Sequence, residues 1–249
     1  MNSFEYKHFY DQVGKTNGWD FSKVKCVSEG THPDLYAEVT HICKSSDLLL
    51  DIGTGGGEAI LSIAESALLL IGIDQSTGML ETATRNGAES GIVNVRFLQM
   101  EAEQLHFPND FFNIVSCRHS EFVADEVARV LVSGGAFLTQ QVSEDDKSNI
   151  KEAFGRGQAL GTEAGTLQQR YMNDLRQAGF NGIRAVAFNV AEYYETVEDL
   201  IFLLKHTPII PNFGQSDADF EILQQFVKDN QTEKGIRTNA GRFVITATL

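Results

Sequence analysis

The sequence predicts an α/β protein with an open, mostly parallel sheet covered by helices on both faces, a doubly wound architecture. Three observations carry that expectation. From residue 47 onward, short apolar runs alternate with segments of helical spacing, which is the pattern βαβ units produce. The first two runs, "LLLDI" (48–52) and "LLLIGID" (68–74), are continuously apolar, as strands covered on both faces are. Directly after the first run stand Gly53, Gly55, Gly56 and Gly57, at the carboxyl end of a strand, where open α/β sheets bind ligands.

The elements follow in order. Residues 1–46 read as helix with loops. After the glycines, "EAILSIAES" places Ile60, Ile63, Ala64 and Ala67 at helical spacing. The segment "TGMLETATRNGAESG" reads as a helix ending near Gly87 or Gly91, followed by strands "VNVRFLQM" (93–100) and "FFNIVSC" (111–117). A helix over "EFVADEVARVLVSGG" (121–135) is expected to stop at its glycine pair, before a fifth strand, "AFLTQQVS" (136–143). Beyond it come a helix over 166–178 and strands "GIRAVAFNV" (182–190) and "RFVITATL" (242–249). Between those strands, residues 191–241 hold two helical segments, 196–206 and 217–229, and are expected to form a lid that shapes the substrate site. The expected organisation is an N-terminal cap segment (1–46), a core (47–190 and 242–249) and the helical insertion (191–241).

A chain of 249 residues that is 42% hydrophobic supports one sizeable core with insertions rather than two domains. It contains no apolar run long enough to span a membrane. "MNSFEYKHFYDQVGK" lacks the apolar stretch of a secretory signal. Cys26, Cys43 and Cys117 show no metal-type or redox-type spacing. No metal is expected, and a reducing cytoplasm is the expected location. The net charge of −14 makes the chain a poor non-specific binder of nucleic acid and suits small or cationic ligands.

Three ligand chemistries compete for the glycine loop. A phosphate-cradling P-loop needs a lysine after its glycines, and none follows here. A dinucleotide fingerprint G-x-G-x-x-G, started at Gly53, puts Glu58 at its third glycine position, where a carboxylate would face a pyrophosphate. An S-adenosylmethionine (SAM) loop, acid-x-G-x-G-x-G, fits at every position with Asp51, Gly53, Gly55 and Gly57. SAM carries an ammonium, a sulfonium and no phosphate, so an acid at the strand end is favourable. At about 4 Å the attraction between unit charges is roughly 4 kcal/mol at an effective dielectric of 20, before desolvation. Asp74 ends the second strand about 20 residues on, where a carboxylate accepts hydrogen bonds from a ribose diol. Gln75 and Met79 lie beside it and are expected to border the adenine.

With these residues the chain resembles the class I SAM-dependent methyltransferases, particularly the small-molecule group called methyltransferase type 11. The matching blocks are "LLLDIGTGGGE", "IGIDQSTGMLETA", "VRFLQMEAEQLHFPNDFFNIVSCRHS" and "EVARVLVSGGAFL", in the family's order over about 48–139. The resemblance implies a Rossmann-like sheet of seven strands with the last antiparallel. It implies that Asp51, Gly53 and Gly55, with Thr54 and Gly57 of the same loop, line the methionine part of SAM, and that Asp74 holds the ribose. Glu101 and Ala102 then contact the adenine, and Cys117, Arg118 and His119 lie beside the transferable methyl. "FYDQVGKTNGWD" (9–20) resembles the family's lead-in, so Tyr10 or Trp19 is expected to close over the cofactor. The chain has Glu101 where the family usually has Asp, and Phe112–Asn113 where it has Phe-Asp.

The expected function is therefore transfer of a methyl group from SAM to a small-molecule acceptor, with His119 the first candidate base and Arg118 beside it. For Cys117 a buried strand thiol is the simpler reading. His206, Tyr193, Tyr194, Arg237 and Arg242 are secondary candidates for the substrate pocket or for an anionic substrate. An N-P-P-Y motif is absent, and Ser116, not proline, precedes Cys117, which disfavours DNA acceptors. The competing readings are an RNA or protein methyltransferase, a SAM-binding regulator without turnover, and an NAD-dependent oxidoreductase. Oligomeric state is open.

Overall fold

The computed structural model describes residues 9, 11–13, 21 and 24–249. Tyr10 and Trp19 lie outside the described residues. The strands are β1 (Cys26–Glu29), β2 (Leu48–Ile52), β3 (Leu69–Asp74), β4 (Val95–Gln99), β5 (Phe112–Arg118), β6 (Leu131–Val142), β7 (Asn181–Tyr194), β8 (Gln231–Thr232) and β9 (Gly235–Thr248). Among the described residues the helices are α1 (Leu35–Ile42), α2 (Glu58–Ser62), α3 (Thr77–Ser90), α4 (Ala124–Val130), α5 (Ser148–Phe154), α6 (Thr166–Gln177), α7 (Val197–His206) and α8 (Asp217–Asn230).

All strands join one sheet in the order β1-β7-β9-β6-β5-β2-β3-β4, with β8 paired to β9. The pairs β5–β6, β2–β5, β2–β3 and β3–β4 are parallel, whereas β9 runs antiparallel to both β6 and β7. The sheet thus has nine strands, not the expected seven. The two extra strands are short edge pieces. β1 pairs with the far half of β7, and β8 with the start of β9. Their sequences, "CVSE" and "QT", are too short and too polar to show an apolar alternation.

Alternate residues along the central strands enter different cores. Leu49, Leu70, Ile114 and Leu138 pack with Leu35 and Val39 of α1 and Ile60 of α2. Leu50, Ile52, Val115 and Phe137 pack on the other face with Val127 of α4 and Tyr171 and Leu175 of α6. That two-sided burial explains why β2 and β3 read as unbroken apolar runs. A third core forms around Ile150, Phe154, Tyr194, Leu200, Leu204, Leu223, Phe226 and Ile236. It holds α7 and α8 against the distal part of the β7–β9 hairpin. Both hairpin strands are 14 residues long, so residues 191–194 and 235–241, expected in the insertion, are strand.

The helix expected over 121–135 is shorter. α4 stops at Val130, and Leu131 is already extended, with φ −78° and ψ 142°. The glycine pair serves the strand instead. The β5–β6 register shifts between Phe112 and Ile114, and Gly134 sits there at φ +76°, a β-bulge position that glycine tolerates.

Among the described residues no helix is long and apolar enough to cross a membrane. Also among them, no group of three or more His, Cys, Asp or Glu side chains is arranged to hold a metal ion.

Candidate functional site

The glycine loop between β2 and α2 is built on left-handed backbone. Gly53, Gly55 and Gly57 have φ of +72°, +57° and +80°, which residues with a Cβ adopt only at a cost. The amides of Gly53 and Thr54 both donate to the Ile73 carbonyl at 2.9 Å, tying the loop to β3. A Cβ at Gly53 would collide with the Ser120 side chain, and one at Gly57 would come within 2.6 Å of the Phe97 ring. The glycines therefore answer both a conformational and a steric demand.

Asp51 is 1% exposed and lies on the α1 side of the sheet, because its neighbours Leu50 and Ile52 face the opposite core. Ser116 of the adjacent strand β5 donates its hydroxyl to Asp51 at 2.6 Å, and the Tyr36 hydroxyl of α1 donates at 3.2 and 3.4 Å to its two oxygens. Burial pushes the carboxyl up to about 6, while the hydroxyls of Ser116, Thr54 and Tyr36 and the Arg118 charge pull it back. Burial, then the Asp51 charge, raises the Tyr36 phenol well above its ordinary value. The Arg118 guanidinium stands 5.8 Å over the Tyr36 ring. The Thr54 hydroxyl, although near enough to steady Asp51, meets no partner at hydrogen-bonding geometry among the described residues.

Asp74 ends β3 beside the same loop. Its Oδ2 accepts from the Gly55 amide at 3.0 Å and its Oδ1 from the Ser76 amide at 2.9 Å. Burial raises its carboxyl, with the Asp11 charge adding to the effect and the two amides opposing it. Each oxygen keeps acceptor capacity beyond its one amide. Gln75 is exposed, whereas Met79 is 2% exposed in the first turn of α3, capped by the Ser76 hydroxyl at 3.2 Å. Glu101 is exposed, and Ala102 packs against the main core.

Cys117 is turned away from this site. It follows Ser116, which faces Asp51, so its thiol points into the opposite core beside Val115. Its Sγ donates to the Ser120 carbonyl at 3.2 Å, and burial pushes it up to about 12. The expectation that Cys117 lies at the cofactor gives way to the simpler reading of a buried strand thiol.

His119 leaves β5 in left-handed backbone, φ +55°. Its amide donates to the Gln140 carbonyl at 2.8 Å, and its Nε2 lies 3.2 Å from Gln140 Nε2. Burial, then the charges of Arg242, Arg118 and Lys147, hold the imidazole well below its ordinary value. The ring is thus neutral near pH 7 and accepts at Nε2.

The other candidates scatter. Tyr194 packs in the third core and donates to Glu192 at 3.1 Å, while Tyr193 donates to Glu29 at 3.0 Å on the surface. His206 caps its own helix through the Phe202 carbonyl at 2.7 Å and stacks on the Phe202 ring at 4.0 Å. Arg237 is exposed, and Arg242 is paired with Asp146. Sequence reasoning missed Tyr36, Ser116 and Ser120. Only Tyr36 carried a signal, as the polar-tipped neighbour of the buried Leu35 on an amphipathic helix. Also missed was a buried network in which Lys147, 1% exposed, donates to Glu192 at 2.6 Å and to the Asn239 carbonyl at 2.9 Å.

Residues 49–135 match the family described as "Methyltransferase domain". The chain is 36% identical over 137 residues to the "Uncharacterized methyltransferase YcgJ" of Bacillus subtilis, covering 49% of this chain and 54% of that protein. It is 34% identical over 87 residues to the "Aklanonic acid methyltransferase DauC" of Streptomyces sp., covering 33% and 40%. The chain spans about half the length, or less, of these curated relatives. The crystal structure of YcgJ from Bacillus subtilis superposes with a TM-score of 0.58 at 22% identity, over 86% of this chain and 97% of that one, a likeness of fold. Taken with the loop and its two acids, these matches show that residues 49–135 are similar to a methyltransferase domain and that the chain shares the fold of a methyltransferase relative.

Proposed function

We propose that the protein transfers a methyl group from SAM to a small-molecule acceptor. One observation carries the reading: a loop of three left-handed glycines is flanked by two carboxylates, the buried Asp51 and the half-buried Asp74. The residues fit SAM. The glycines open a cradle that side chains would fill, Asp51 offers a negative charge for an ammonium, and Asp74 offers oxygens for a ribose diol. Gln75, Met79, Glu101 and Ala102 stand along the adenine side in this reading. The small-molecule acceptor is supported by the net charge of −14 and by the named acid substrate of one relative.

Bound there, SAM supplies a methyl carbon whose bond to a sulfonium breaks with the electron pair passing to sulfur. The chain's residues then hold, orient and exclude water. His119, neutral and held at Nε2 by the Gln140 amide, follows β5 as the candidate base; it takes the acceptor's proton at Nε2 once the acceptor's O–H or N–H displaces the Gln140 contact there. The helices α7 and α8, with a core of their own, serve as the lid in this reading.

Calorimetric titration with S-adenosylhomocysteine, with NADH as control, tests the reading. Micromolar binding, about −8 kcal/mol, of the first alone is expected; binding of NADH alone would overturn it. A regulator without turnover would bind the same ligand but consume no SAM in a metabolite mixture.

A further inference from the structure

We infer that a cavity beyond the carboxyl end of β6 takes the methyl acceptor, and that this acceptor is a compact, largely apolar molecule carrying one anionic oxygen. The inference rests on the methyltransferase reading above and adds the chemical class of the substrate.

The cavity encloses about 230 Å³ between the end of β6, α5, the loop before α6 and Ile209. That is the volume of about eight liquid-phase waters, room for one six-membered ring with a short substituent. It lies on the side of the sheet where ligands of open α/β folds bind. Val142 of its wall follows Gln140, the partner of His119, by two positions along β6. Val142, Leu167 and Ile209 make the wall apolar.

The polar groups that face it are unequal. The acids are already engaged. Glu144 accepts the amides of Gly165 at 3.1 Å and Leu167 at 2.5 Å. Asp146 takes Arg242, the Gly241 amide at 3.2 Å and the Lys147 ammonium at 3.5 Å. Lys151 is different. Only 3% exposed, it donates to the carbonyls of Glu144 at 2.6 Å and Gln158 at 3.0 Å. Among the described residues no carboxylate pairs with its Nζ. An ammonium has three donors and two are taken, so among the described residues one N–H is left for the cavity that Lys151 lines. The lysine stem is clamped in place, since a Cβ on Gly157 would come within 2.7 Å of Lys151 Cδ. A buried, preorganised ammonium with an unmet donor is favourable toward an anion and indifferent to a neutral apolar guest. Arg170, stacked 5.1 Å over the Tyr171 ring, adds a second positive charge to the lining.

The test is calorimetric titration of the full chain with benzoate and with its neutral isostere benzamide, each with and without S-adenosylhomocysteine. Nitrophenolate against nitrobenzene repeats the comparison for a phenolate. The expected result is that an anion of either kind binds at least tenfold more tightly than its neutral counterpart. Lys151→Gln is expected to remove that preference while S-adenosylhomocysteine binding stays as in the wild type. Thr162→Phe, on the exposed loop of the wall, is expected to block anion binding without touching the lysine, and it decides the matter should Lys151→Gln fail to fold. Equal affinities for charged and neutral probes, no saturable anion binding, or a Lys151→Gln protein that keeps the preference would each overturn the inference. Loss of S-adenosylhomocysteine binding alone would sink the methyltransferase reading and leave the probe ratio to judge the cavity.

Discussion

The hydroxyl of Ser116 on β5 donates at 2.6 Å to the carboxylate of Asp51 on β2, inside the sheet and away from water. The contact holds a charge where burial opposes it. The Asp51 carboxyl, raised by burial from 3.8 to about 6, is protonated more readily in the folded chain than in the unfolded one. A raised acid stabilises the fold below its unfolded value and loses that stabilisation as pH rises through its folded value. The Asp51 contribution is thus present below pH 3.8 and gone above about pH 6, a difference of about 3 kcal/mol. Asp51→Asn is expected to flatten this part of the pH profile in urea denaturation, to raise stability at pH 7.5, and to abolish S-adenosylhomocysteine binding. In Ser116→Ala the carboxyl moves higher still, by about 1 to 2 pH units for a lost bond of 1.5–3 kcal/mol. The pH below which cofactor affinity falls should rise with it; an unchanged midpoint would separate Ser116 from the charge of Asp51.

Gly53→Ala should fail for two separable reasons. The backbone at φ +72° costs an L-residue about 1–2 kcal/mol, and the new methyl meets the Ser120 side chain. Adding Ser120→Gly relieves the second and not the first. The double variant is therefore expected to recover part of the lost stability in chemical denaturation, with about 1–2 kcal/mol still missing. Full recovery would mean that the backbone conformation carries no strain.

His119 is expected to remain neutral well below pH 6.5, because burial and then Arg242 oppose its protonation. Removing a cation must raise the midpoint. Arg242→Gln should shift the His119 titration upward in a nitrogen-detected NMR experiment, while His119→Ala leaves S-adenosylhomocysteine binding intact. A downward shift would show that burial deepened by local rearrangement, and not the Arg242 charge, controls the ring.

The central sheet was legible because its strands are covered on both faces. β2 is apolar but for Asp51 and β3 but for Gly72 and its terminal Asp74, and runs that short, bounded by glycines and turn residues, favour a strand over a buried helix. The glycine loop was legible because left-handed backbone leaves a compositional mark at Gly53, Gly55 and Gly57. What escaped depends on distance in sequence. Ser116 reaches Asp51 across 65 positions, and one polar residue inside an apolar strand announces no partner. The sequence understates the lengths of β7 and β9 because their distal halves carry Asn189, Glu192 and Asn239, polar residues that join a hydrogen-bonded network, and the exposed Arg237. The glycine pair at 134–135 looked like a helix stop because a C-cap and a bulge ask for the same residue.

That network supplies the last test. Lys147 is 1% exposed at φ +52°, with its ammonium on Glu192 at 2.6 Å and near Asp146 at 3.5 Å. It joins the turn after β6 to the distal halves of β7 and β9, and so couples the main sheet to the core of α7 and α8. Removing one partner of a buried pair strands the other charge, which costs about 3–5 kcal/mol, whereas replacing both with apolar groups is often close to neutral. Lys147→Met is expected to destabilise by about that amount in urea denaturation. Lys147→Met with Glu192→Leu should recover most of it, because Asp146 keeps Arg242 and the Gly241 amide. The two substitutions would then be strongly non-additive, the signature of a direct pair. Additive losses would mean instead that Lys147 acts through the Asn239 carbonyl and the strained turn, with Glu192 a bystander.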